Sequence, residues 1–66
     1  MKIKLYVHLN DLIKFKNDKL NELEVKTTDE KIGYVKVEFD LNYFNLEYID
    51  DYEAILTKIP LSVYTL

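Results

Sequence analysis

Few side chains in this sequence are suited to covalent or acid–base chemistry. His8 is the only histidine and Ser62 the only serine, and neither has a Ser–His–acid or His–carboxylate spacing around it. Cysteine is absent, so neither a disulfide framework nor a thiolate zinc site can form. Gly33 stands alone, which leaves no phosphate-cradling loop. Asp50, Asp51 and Glu53 bring carboxylates together, but a calcium loop needs more oxygen ligands and usually a glycine. Helix capping accounts for them better. The expectation is a protein without enzymatic activity, cofactor or metal.

Binding chemistry is better supplied. Six tyrosines, nine lysines and twelve acids give a net charge of −3. The charges are divided along the chain: residues 1–36 carry eight Lys against six acids, and residues 37–66 one Lys against six acids. The acidic block also holds Tyr43, Tyr48, Tyr52 and Tyr64. Arginine is absent, and with it the side chain best suited to bidentate phosphate or guanine contacts. Usage rich in Lys, Asn, Ile and Tyr without Arg suits an AT-rich coding source.

These side chains must be positioned by one small domain, residues 1–66. Apolar residues make up 48% of the chain, with one Gly and one Pro, which is a globular composition. Apolar runs reach only three residues, too short for a membrane span or a signal segment, so a cytoplasmic location is expected.

Residues 2–9 alternate strictly, with Ile3, Leu5, Val7 and Leu9 on one side and Lys2, Lys4, Tyr6 and His8 on the other, the pattern of a half-buried strand. Asn10 or Asp11 can cap a helix over 11–19, which Asn17-Asp18 could end early. Alternation resumes with Leu23 and Val25 inward, and again with Gly33, Val35, Val37 and Phe39 inward, predicting a hairpin of strands at 21–27 and 32–39. Leu41, Phe44, Tyr48, Tyr52, Ile55 and Ile59 then fall at helical steps, and Asp50 to Glu53 has capping-box spacing. This predicts a long helix over 41–58; the alternative is a sheet with an extra strand at 43–48 and a short helix at 51–58. After Pro60 the chain resumes an extended pattern, with Leu61 and Val63 in phase. The order is that of an α+β, βαββαβ ferredoxin-like (split βαβ) sheet with two helices on one face.

Two surfaces follow from this arrangement. On the second helix Tyr43, Leu46, Glu47, Asp50, Glu53 and Ala54 would lie beside or opposite the core stripe, an acidic face with protruding anchors. That surface suits a host protein with a basic surface, as for a small phage or mobile-element accessory or inhibitor protein, an anti-defence or nucleic-acid-mimic inhibitor among them.

The open sheet face would show Tyr6, His8, Tyr34 and Tyr64 among Lys2, Lys4, Lys26 and Lys36. Ile32-Gly33-Tyr34-Val35-Lys36-Val37-Glu38-Phe39 loosely resembles the RNP1 strand of the RNA-recognition motif at Gly33, Tyr34, Val37 and Phe39. Leu5-Tyr6-Val7 resembles the start of that family's RNP2 strand. The sequence departs from the motif at Lys36, where the family has a stacking aromatic, and at Ile32, where it has a basic residue. The resemblance implies RNA or single-stranded DNA stacked on Tyr6 and Tyr34 beside Lys36. A homodimer closed over the open face is the third expectation.

Overall fold

The computed structural model describes residues 1–29 and 32–60. Six elements follow one another: β1 (Lys2–His8), α1 (Leu9–Lys16), β2 (Glu22–Lys26), β3 (Tyr34–Asp40), β4 (Phe44–Tyr48) and β5 (Glu53–Lys58). The five strands form one antiparallel sheet in the order β3-β1-β2-β5-β4. The ferredoxin-like expectation is therefore corrected: α1 is the only helix among the described residues, and residues 41–58 form a turn and a β-hairpin. The alternative also fails at its helix, since 51–58 contains β5. The expected strand beyond Pro60, with Leu61, Val63 and Tyr64, lies outside the described residues. No described helix is long and apolar enough to cross a membrane.

The sheet cannot be flat. Five strands at about 4.8 Å spacing would separate the outer two by about 19 Å. Yet β3 at one edge reaches β4 at the other through residues 41–43 alone, and four steps of extended chain span at most about 14 Å. The edges must curl together at this corner. Tyr43 N donates to Asp40 O at 2.9 Å, Asn42 N to Asp40 Oδ1 at 2.9 Å, and the Phe39 and Phe44 rings meet edge to face at 5.6 Å. β3 and β4 share no hydrogen-bonded ladder, so the curl stops short of a closed barrel.

Curling lets a single helix cover the concave side. The registers put Leu5, Val7, Leu23, Val25, Phe39, Ala54 and Leu56 on that side, and α1 adds Leu12 and Phe15, three residues apart on one face. All nine are buried. Burial of each larger side chain contributes about 1.5–3 kcal/mol.

The helix begins two residues earlier than expected because His8, rather than Asn10 or Asp11, is the cap: its Nδ1 accepts from Asn10 N at 3.3 Å. Leu9 is thus helical and half-exposed, not part of β1. The other end is tied down by Lys58, whose Nζ donates to Phe15 O and Asp18 Oδ1, both at 2.6 Å, and lies 4.8 Å from the Phe15 ring centre. A helix leaves its last carbonyls unpaired, and this lysine supplies a donor from the sheet.

Candidate docking surface on the β4–β5 hairpin

β4 and β5 pair from Phe44↔Lys58 to Tyr48↔Ala54, leaving residues 49–52 as the connecting loop. The loop is held from three directions. Ile49 N and Asp50 N both donate to Glu53 O, at 2.9 and 3.3 Å. Asp50 Oδ1 accepts from Tyr52 N at 2.7 Å and Glu53 N at 2.8 Å. From the end of β2, Thr27 N donates to Tyr52 O at 2.9 Å and Thr27 Oγ1 to Asp51 O at 3.0 Å. Lys26 Nζ meets Glu53 Oε1 at 2.5 Å across the β2–β5 ladder.

These contacts set the local titration. The backbone N–H groups of Tyr52 and then Glu53 stabilise the Asp50 carboxylate and hold its pKa below the ordinary range. The hydrogen bond that Lys26 donates to the Glu53 carboxylate raises the Lys26 pKa, more than desolvation lowers it. The loop is therefore shaped in advance, so little conformational entropy would be lost when it meets a partner.

On this frame three apolar side chains face solvent: Tyr48 at 54%, Ile49 at 63% and Tyr52 at 57% exposure. Tyr48 and Ile49 with Asp50 and Asp51 line an open depression of about 440 Å³. Asp50 and Asp51 are exposed there, and Glu47 and Glu53 are exposed at the adjoining ends of β4 and β5. The hairpin tip thus combines aromatic and aliphatic area with exposed carboxylates.

The helical docking face expected at Tyr43, Leu46, Glu47, Asp50 and Glu53 does not exist as one surface. Glu47, Asp50 and Glu53 remain near one another at the tip. Tyr43 lies in the β3–β4 turn at the other end of β4, roughly 20 Å away at strand rise. Leu46 turns inward, half-buried against the core, and Ala54 is buried. Tyr48 and Tyr52, expected in a helical core stripe, are exposed, and together with Ile49 they are what the sequence reading missed. The signal was the alternation Phe44-Asn45-Leu46-Glu47-Tyr48, a five-residue strand pattern ending at an Asp-Asp turn.

Tyr6, Tyr34 and Lys36 do share the convex face of β1 and β3. Lys36 Nζ lies 5.8 Å from the Tyr6 ring centre, and His8 meets Tyr34 edge to face at 5.7 Å. The other charges on this face are opposed across strands: Lys4 faces Glu38, Lys2 faces Asp40, and Lys26 is bound to Glu53. The RNA-recognition fold implied by the strand resemblance is not the one formed. No family model, curated protein or solved structure matches this chain.

Proposed function

We propose that this chain is a non-enzymatic binding protein that docks the β4–β5 hairpin tip on a basic surface of another protein. Exposed Tyr48, Ile49 and Tyr52 beside Asp50 and Asp51, on a loop fixed by its own hydrogen bonds, carry the reading. The apolar groups supply area to desolvate, and the acids steer the tip toward a basic partner and exclude acidic ones. In its sharpest form the chain is an accessory inhibitor of a phage or mobile element that covers a basic site on a host protein. Small size, acidity and AT-rich residue usage motivate that form.

RNA or single-stranded DNA on Tyr6, Tyr34 and Lys36 is the second reading, favoured by the lysine set over the Tyr6 ring. The cross-strand acids leave that face with little uncompensated charge for phosphate, and it ranks below the hairpin for that reason.

The readings separate in one experiment. Tagged chain captures its partner from host lysate, and Glu47→Lys with Asp51→Lys abolishes capture while the circular-dichroism spectrum is unchanged. Neither side chain is used in the described hydrogen bonds or ion pairs of the loop. Capture that survives this reversal and is lost with Tyr6→Ala or Tyr34→Ala instead would replace the first reading with the second.

A further inference from the structure

The exposed edge of β3 carries a second, independent inference. The main chain of Leu9 donates to Gly33 O and that of Leu41 to Met1 O, at the two ends of the β1–β3 ladder. In an antiparallel ladder such pairs recur every second residue. Odd-numbered residues of β3 therefore direct their N–H and C=O groups at β1. Tyr34, Lys36, Glu38 and Asp40 direct theirs at the opposite edge, with which no described strand pairs.

The residue order along that edge is self-complementary. We propose that two copies of the chain join edge to edge along β3, antiparallel, about a two-fold axis through Val37. In that register Lys36 lies opposite Glu38 of the second copy, and Glu38 opposite Lys36. Tyr34 lies opposite Asp40, so each phenol meets a carboxylate. All four are residues whose main-chain groups face the edge, so every one enters a hydrogen-bonded pair. On the concave side Val37 meets Val37 and Val35 meets Phe39, which covers the Val35 side chain, 36% exposed in the single copy. Opposite charges and apolar pairs directly across strands both stabilise a ladder.

The same edge disfavours its nearest alternatives. Moving the axis by one residue places Lys36 on Lys36 in one direction and Glu38 on Glu38 in the other, and like charges directly opposed are destabilising. An exposed edge strand is a template for indiscriminate pairing unless charge restricts it. Here the two charges favour the Val37 register over its immediate neighbours, and an isologous contact of this kind closes at two copies. The hairpin tip lies on β4 and β5 at the other edge of the sheet, so pairing through β3 does not depend on what that tip binds.

Sedimentation equilibrium of the full chain over a concentration series tests the pairing. The expected mass rises from 7.9 kDa toward twice that value. Lys36→Glu alone and Glu38→Lys alone each weaken the dimer at least about tenfold, and the two together restore it by exchanging the ends of the same ion pairs. A monomer at every concentration overturns the proposal, and so does a dimer indifferent to the single reversals. If a variant fails to fold, amide exchange of the unaltered chain decides. Tyr34, Lys36, Glu38 and Asp40 amides become protected as concentration rises, and exchange there that ignores concentration overturns the pairing.

Discussion

The β1–β3 ladder and the β4–β5 hairpin are built from the same alternating pattern, yet they finish it differently. Along β1 and β3 the outward residues answer one another: Lys2 with Asp40, Lys4 with Glu38, Tyr6 with Lys36, His8 with Tyr34. Along β4 and β5 outward Glu47 faces Ile55 and Asn45 faces Thr57, so the acid has no cation opposite it. The hairpin's ion pairs are made outside it, Glu53 with Lys26 of β2 and Lys58 with Asp18 beyond α1. Its apolar residues also overrun the core, leaving Tyr48, Ile49 and Tyr52 in solvent. A sheet can thus satisfy its surface charges in one half and leave them available in the other, and availability is what recognition requires.

Three substitutions test how separable the halves are, beginning with the most damaging. Phe15 is fully buried and its ring lies 6.1 Å from that of Phe44, so it ties α1 to the start of β4. Phe15→Ala is expected to cost about 3–5 kcal/mol in urea unfolding and to melt both halves in one transition. Loss of the hairpin alone, with the β1–β3 ladder intact by amide exchange, would show two separable units instead.

Asp50→Ala comes second. It removes the acceptor for Tyr52 and Glu53 N–H, so the melting temperature falls, whereas Asp51→Ala, which leaves the Thr27 bond to the Asp51 carbonyl in place, changes it little. The sign with pH follows from the lowered pKa of Asp50. Its contribution is complete above the ordinary carboxylate pKa and is lost as pH falls through the folded-state value. The stability gap between wild type and Asp50→Ala should therefore shrink in acid, and a gap constant from neutral pH to pH 2 would contradict the turn account. Lys26 behaves oppositely, its contribution complete below the ordinary lysine range and lost as pH rises through its raised pKa.

Thr27→Val, third, deletes only the Oγ1 bond to Asp51 O. The expected loss is about 0.5–1.5 kcal/mol, read as faster exchange of the Tyr52 and Glu53 amides with the β1–β3 ladder unaffected. Equal change in both halves would mean that Thr27 supports the whole sheet.

The strands of the first half are legible because their alternation is unbroken, but their pairing is not: the expected hairpin of 21–27 with 32–39 does not form, because β1 lies between β2 and β3 and pairs with both. Ile3, Leu5 and Val7 against Lys2, Lys4 and Tyr6 admit one reading, and the inward sets of β2 and β3 followed in the same way. The second half was obscured by two coincidences of local chemistry. Asp50 satisfies the N–H groups two and three residues ahead, which is what a helix cap does, and here the geometry closes a hairpin. Ala54, Ile55 and Leu56 form an apolar run that hides a period of two, although only Ala54 and Leu56 are buried. Helical spacing then places Tyr48 and Tyr52 in a core stripe they do not occupy. The acids of the site were visible as an acidic block; its apolar anchors depend on the curl of the sheet, which no local pattern encodes.

Amide chemical-shift mapping of the labelled chain, titrated with the partner it captures, tests the docking surface most directly. The account predicts shifts concentrated between Glu47 and Glu53, with Tyr6, Tyr34 and Lys36 unmoved. Shifts centred on Tyr6, Tyr34 and Lys36, with the hairpin tip silent, would contradict it.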